Sequence, residues 1–142
     1  MFCREHLVEM RKAYAEFRRL GAEVVAVGQG TQAEADEFCD EVGAQFPCVG
    51  DPDRVGYRAY GLPLGSVRQV LFGEARDRKL EALAKGFSID ARRALARRSN
   101  WWQLPGVAIV DRSGILRFVH RSRSPSDYPE VSVLLAEIEN LR

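Results

Sequence analysis

The chain has 142 residues, of which 46% are hydrophobic and 29% charged, a composition typical of one globular domain. Its formal net charge of +1 excludes a general polyanion binder, because nucleic-acid-binding domains carry a strong basic excess. Its longest aliphatic run, residues 107–110, is too short to span a bilayer, and charges close to the start interrupt any signal peptide.

The first half of the chain alternates helices with short strands. Helical spacing of apolar residues, glycine stops and β-branched runs predict these elements. In chain order they are a helix over 3–20, a strand over 22–27, a helix between Thr31 and Gly43, an edge strand over 45–49 and a helix over 51–60. Thr31 and Glu34 are spaced as a capping box. The alternation predicts an α/β protein with parallel strand pairing.

Residues 62–100 depart from this pattern, and we interpret them as a helical insertion beside the sheet. The elements predicted from there on are helices over 74–84 and 89–98, a β-hairpin with strands over 107–110 and 115–120, and a closing helix over 129–141. The apolar face of the closing helix is predicted to comprise Val131, Leu134, Leu135, Ile138 and Leu141.

Cys3 lies in the first turn of the first predicted helix. There, unpaired backbone N–H groups and the positive end of the helix macrodipole stabilise a thiolate, which makes Cys3 a candidate nucleophile. The alternative is a frayed terminal cysteine without chemistry. Cys39 and Cys48 fall on apolar positions, so we expect both to pack as small hydrophobic residues. We expect His6, one turn after Cys3, to be a solvated surface residue.

Short stretches along nearly the whole chain are similar to those of one known family and occur in that family's order. They are residues 2–5, 22–27, 51–53, 57–62, 103–107, 110–114 and 120–123. Together they resemble the peroxiredoxin-like AhpC/TSA family of the thioredoxin-like superfamily. The resemblance implies a single thioredoxin-like domain over 1–142, with a central mixed sheet flanked by helices, a helical insertion at about 62–100 and a C-terminal β-hairpin plus helix.

The activity that the resemblance implies is that of a thiol-dependent oxidoreductase. It would reduce peroxides or disulfides through a cysteine thiolate, by way of a sulfenic acid or a mixed disulfide. The implied partners are a peroxide or disulfide substrate and a thiol reductant, with no bound cofactor, and a homodimer is compatible with it. From the net charge, the short apolar runs and the scattered histidines and cysteines, we expect no nucleic acid, no membrane and no metal. Three cysteines without dense spacing indicate a reducing cytoplasm.

The resemblance also assigns roles to single residues. Cys3 matches the second cysteine of a Cys-x-x-Cys motif at a strand-to-helix junction. The first would fall one position before Met1, so we expect Met1 to be an internal methionine and the N-terminal strand to be missing. Pro105 matches a site-shaping proline that is cis in such folds, and we expect it to be cis here.

Arg123 is a candidate to hold a thiolate or to orient a peroxide, and the alternative is a solvated residue at a strand end. Trp101 and Trp102 either cap the site, pack the insertion or form a partner surface. Because the first motif cysteine lies outside the chain, the alternative function is a non-catalytic thioredoxin-fold protein that acts as a binding module.

Overall fold

The computed structural model of the chain describes residues 2–66, 100 and 102–142. The helices there are α1 (Phe2–Lys12), α2 (Tyr14–Arg19), α3 (Gln32–Val42), α4 (Val55–Ala59) and α5 (Val131–Asn140). The strands are β1 (Ala26–Gly28), β2 (Cys48–Gly50), β3 (Gly106–Val110) and β4 (Leu116–Arg121). The helices predicted over 74–84 and 89–98, and Trp101, lie outside the described residues.

The single helix predicted over 3–20 is two consecutive helices. They meet at Ala13, where ψ is 2° instead of the helical value of about −42°. The Ala13 carbonyl accepts hydrogen bonds from the backbone N–H groups of both Glu16 and Phe17, which tightens the turn locally. The predicted stop at Gly21 is confirmed, because Gly21 has a φ of 78° that glycine adopts without a Cβ clash.

The start of α3 is capped as its sequence predicts. The Thr31 hydroxyl accepts a hydrogen bond from the Glu34 backbone N–H, and the Glu34 carboxylate accepts one from the Thr31 backbone N–H at 2.8 Å. Gln32 then joins this helix to β2, because its amide donates to the Cys48 carbonyl at 2.8 Å and accepts from the Gly50 N–H at 3.0 Å. These contacts hold the beginning of α3 beside the end of β2.

A disulfide holds the other end of α3 against β2. Cys39 and Cys48 are bonded to each other, with their Cα atoms 6.5 Å apart. The prediction that both cysteines serve only as packing residues is therefore wrong. Cys39 is buried, as expected, but α3 lies along β2 so that the sulfur atoms meet within bonding distance.

The strands of the described residues form two separate two-stranded sheets. β1 and β2 pair in parallel, with Val27 opposite Val49, and β3 and β4 form the expected antiparallel hairpin. The strand predicted over 22–27 pairs only from Ala26 onward. In the described residues these two sheets stand in place of one central mixed sheet, and β1 and β3 are not paired with each other.

One hydrophobic core serves both sheets. Its buried members are Met10, Phe17, Val24, Phe46 and Leu134. Half-buried residues of both sheets pack against it, among them Cys48, Ile109 and Phe118. The closing helix is confirmed as α5, although Leu141 is 46% exposed and lies outside its core-facing side. Across the described residues, helices are too short or too polar to cross a membrane.

Candidate functional site around Cys3

Cys3 is the free thiol of the chain, since the other two cysteines form the disulfide. It is exposed and lies in the first turn of α1. Its sulfur atom is 3.0 Å from the hydroxyl oxygen of Tyr128, and either group has the hydrogen that such a contact needs. The structure thus brings Cys3 together with a residue from the opposite end of the chain.

The loop that carries Tyr128 is held by Asp127. The backbone carbonyl of Asp127 accepts a hydrogen bond from the buried Ser122 hydroxyl. Its carboxylate accepts one from the Arg123 backbone N–H at 2.7 Å and lies 3.2 Å from the imidazole of His120. These contacts fix the residue next to Tyr128 against the end of β4.

His6 packs against the ring of Tyr128. The two ring centroids are 4.2 Å apart and the ring planes are inclined by only 18°, so the rings are stacked. This burial lowers the pKa of His6 from 6.5 to about 4, and the negative charge of Glu9 offsets a part of the effect. The prediction that His6 is a solvated surface residue is wrong, because α1 directs it under Tyr128.

Tyr57 approaches Cys3 from α4. The carboxylate of Asp51 begins this helix by accepting hydrogen bonds at 2.8 Å from the backbone N–H groups of Val55 and Gly56. The Tyr57 hydroxyl donates to the Val27 carbonyl at 3.0 Å. Burial raises the pKa of Tyr57, and the negative charges of a Cys3 thiolate and of Asp51 raise it further.

Both phenols near Cys3 remain protonated at neutral pH. Burial is the main cause that raises the pKa of Tyr128 well above its ordinary value, followed by the charge of Cys3, the hydrogen bond with Cys3 and the charge of Tyr57. A protonated phenol keeps its hydrogen and therefore acts as a donor toward an anion. The site consists of one exposed sulfur beside two neutral hydroxyl groups.

Pro105 lies directly before β3 and is half-buried. Its peptide bond with Leu104 is trans, so the prediction of a cis bond is wrong. The flanking backbone is held in this form on both sides, because the Leu104 N–H donates to the Pro63 carbonyl and the Pro105 carbonyl accepts from the Ser122 N–H, each at 3.1 Å. The trans form is also the intrinsically preferred one.

Arg123 is exposed, and its backbone N–H is bonded to Asp127. Its side chain forms no hydrogen bond or ion pair with the part of the chain that the structure describes. The structure therefore brings Cys3, His6, Tyr57 and Tyr128 together, but it does not bond Arg123 to the sulfur.

Sequence reasoning missed Tyr57 and Tyr128 as members of the site. Tyr57 lies in one of the stretches that carry the family resemblance, which was a usable signal. Tyr128 lies between the hairpin and the closing helix, in a segment without periodicity or a motif. Its contact with Cys3 depends on the tertiary fold alone.

Comparison with known families supplies the identity that the geometry leaves open. Residues 9–124 match the sequence model of the family described as AhpC/TSA antioxidant enzyme, and this span is more than half of the chain. The chain belongs to the AhpC/TSA family. The predicted resemblance is confirmed, and with it membership of the peroxiredoxin-like branch of the thioredoxin-like superfamily. Comparison with curated proteins gives no match.

The AhpC/TSA family suggests a thiol-dependent peroxidase or oxidoreductase function for its members. The mixed helices and small sheets of this chain are compatible with the α/β thioredoxin-like fold. The matched span contains Tyr57, Pro105 and Arg123 but excludes Cys3 and Tyr128. The family match therefore assigns no role to Cys3.

Proposed function

We propose that this chain reduces peroxides with Cys3 as the reacting thiol, and that it acts on disulfides through the same sulfur. The observation that carries this proposal is the state of the three cysteines. Cys3 is a free and exposed thiol, whereas Cys39 and Cys48 are joined to each other. Only a thiolate is a strong sulfur nucleophile, so the first step falls to Cys3.

The reaction proceeds in steps that balance. The Cys3 thiolate attacks one peroxide oxygen, the sulfur–oxygen bond forms as the oxygen–oxygen bond breaks, and the other oxygen leaves as an alcohol or water after taking a proton. Cys3 is then a sulfenic acid. One molecule of a thiol reductant converts it into a mixed disulfide and releases water, and a second thiol restores Cys3 and leaves as the oxidised reductant.

Two further residues keep the roles that the family resemblance gives them in this proposal. Pro105 shapes the backbone at the start of β3, and the exposed guanidinium of Arg123 orients the incoming peroxide. We place the reaction in the cytoplasm, where the thiol reductant that it needs is abundant, whereas disulfides such as Cys39–Cys48 are rare in that compartment. The whole chain acts as one domain, either alone or as a homodimer.

The test is peroxide consumption in the presence of a dithiol reductant. The chain is compared with Cys3→Ser and with a matched variant that carries both Cys39→Ser and Cys48→Ser. We expect Cys3→Ser to fall to the rate of the reductant alone and the double variant to retain activity. Equal rates for the chain and Cys3→Ser would contradict the proposal.

The alternative is a non-catalytic binding module. The observation that favours it is the sheet arrangement, in which β1 and β3 are not paired with each other in the described residues. Val27 lies on the side of β1 that no strand pairs with in the described residues. Its backbone groups point away from β2, and its carbonyl accepts a hydrogen bond from the side chain of Tyr57. A chain that consumes no peroxide above the background rate supports this alternative.

A further inference from the structure

We propose that the Tyr128 hydroxyl donates a hydrogen bond to the Cys3 thiolate and that His6 is the positioning residue that holds the Tyr128 ring in place. This inference rests on the proposed function, since it assigns a second group to the same site. The family match does not reach Tyr128, so the role follows from the geometry alone.

The direction of the hydrogen bond follows from the chemistry of the two groups. In the thiol form of Cys3, either partner has a hydrogen to donate across the 3.0 Å contact. A thiolate has none, so the phenol must donate once Cys3 ionises. Tyr128 retains its hydrogen because burial raises its pKa. Hydrogen bonds to a charged acceptor are about twice as strong as those between neutral groups, and this one stabilises the reactive form of the sulfur.

The hydroxyl of Tyr128 is held in place from two sides. One face of its ring stacks on His6 at a centroid distance of 4.2 Å. The preceding residue, Asp127, is fixed to Ser122 and to the Arg123 backbone. A donor that is already in position loses little entropy when the thiolate forms, so most of its interaction energy favours ionisation.

Other groups near Cys3 are engaged elsewhere. The guanidinium of Arg4 lies 2.6 Å from the carboxylate of Glu41 and over the ring of Phe38, so its charge is directed to α3. The Tyr57 hydroxyl donates to Val27. Within the described residues, the contact with Tyr128 is the hydrogen bond that the Cys3 sulfur makes. Tyr128 is therefore the described residue that stabilises this thiol by a hydrogen bond.

The experiment measures the alkylation of Cys3 by iodoacetamide as a function of pH, without any reductant. Under these conditions the disulfide protects Cys39 and Cys48, and peptide mass spectrometry confirms that the label is on Cys3. Tyr128→Phe removes one hydroxyl and keeps the ring. Tyr14→Phe is the matched control, because its hydroxyl donates to the Glu23 carboxylate on another part of the surface.

We expect Tyr128→Phe to slow alkylation at neutral pH by about tenfold, which is the effect of one hydrogen bond to a charged group. The slowing should be larger at neutral pH than at alkaline pH. Among the described residues, Tyr57 and Tyr128 are the groups whose pKa values the charge of Cys3 raises, so the change in rate reports on their hydroxyl groups. A profile that coincides with those of the chain and of Tyr14→Phe would overturn the proposal.

The role of His6 is tested with two variants. His6→Phe keeps an aromatic ring for stacking and should retain the alkylation profile, whereas His6→Ala should move it in the same direction as Tyr128→Phe by about threefold in rate. Equal profiles for both variants would contradict a positioning role. If Tyr128→Phe fails to fold, this pair of variants decides the proposal.

Alkylation does not require a peroxide, so the two proposals fail separately. If the hydroxyl matters for alkylation but Cys3→Ser consumes peroxide as fast as the chain does, only the proposed function is wrong. If Cys3 is required for peroxide reduction but Tyr128→Phe leaves the alkylation profile unchanged, only the role of Tyr128 is wrong.

Discussion

The sulfur of Cys3 lies 3.0 Å from the hydroxyl oxygen of Tyr128, although 125 positions separate the two residues in the sequence. The contact joins the first turn of α1 to the loop that leads into α5. The helices α1 and α5 both contribute to the hydrophobic core, through Met10 and Leu134, so the position of the thiol depends on how they pack. A change in either element is expected to alter the surroundings of Cys3.

The burial of His6 predicts a pH-dependent stability. Its pKa falls from 6.5 in the unfolded chain to about 4 in the fold, so between these values only the unfolded chain binds the proton. The contribution of His6 to the free energy of unfolding is therefore fully present above pH 6.5. It decreases toward pH 4, by at most about 3 kcal/mol. Urea denaturation at a series of pH values measures it.

The control for this effect is His6→Phe, which keeps the stacked ring but has no proton to bind. Its stability should depend less on pH across this window. Glu23 and Asp111 have lowered pKa values, with ordinary values of 4.5 and 3.8, so their contribution is complete above about pH 5 and is lost only from the acidic end of the His6 window downward. Identical pH dependences in the chain and in His6→Phe would contradict the burial of His6.

The Cys39–Cys48 disulfide should stabilise the fold by closing a short loop. Because its two cysteines are 9 positions apart in the sequence, the loss of loop entropy in the unfolded chain corresponds to about 2–3 kcal/mol. The variant with Cys39→Ser and Cys48→Ser should lose this amount in urea denaturation. Cys3→Ser is the matched control and should unfold as the chain does, because Cys3 is exposed and unbonded to sulfur.

Arg54 offers a stabilising substitution at the start of α4. It has a φ of 55° and is the non-glycine residue with a positive φ among those described. A side chain in this left-handed conformation costs about 1 kcal/mol, so Arg54→Gly should raise the free energy of unfolding by about that amount. Arg54→Ala retains a Cβ and should bring no such gain. Destabilisation by Arg54→Gly would show that the side chain matters more than the backbone.

The charge of Cys3 should be visible in the ionisation of the tyrosines. A Cys3 thiolate raises the pKa of both Tyr57 and Tyr128. Cys3→Ser removes that charge, so these two phenols should ionise at lower pH than in the chain. The phenolate absorbance followed through an alkaline titration measures this. The double variant at Cys39 and Cys48 should titrate as the chain does. An unchanged titration in Cys3→Ser would show that the charge of Cys3 does not affect the ionisation of the tyrosines.

Local features of this fold were predictable from sequence because a few neighbouring residues determine them. The capping box of Thr31 and Glu34 and the left-handed stops at Gly21 and Gly43 are decided within one helical turn. The hairpin around Gly114 is decided by its turn and its two β-rich flanks. Each of these predictions is confirmed.

The site itself was predictable only in part. Cys3 stood out through its place in a first helical turn, whereas its partner Tyr128 has no local signal. The disulfide was missed because a cysteine on an apolar stripe has the pattern of a small hydrophobic residue. Whether Cys39 and Cys48 meet depends on how residues 43–47 turn the chain back along α3. The trans form of Pro105 was missed because the expectation came from the family and not from the contacts of this chain.

The proposed function requires that peroxide oxidises the thiol of Cys3. The most direct measurement treats the chain with a small excess of peroxide, traps sulfenic acid with dimedone and locates the adduct by peptide mass spectrometry. We predict an adduct on Cys3, its loss in Cys3→Ser and its persistence in the double variant at Cys39 and Cys48. A chain in which Cys3 stays unmodified while peroxide is consumed would contradict the claim.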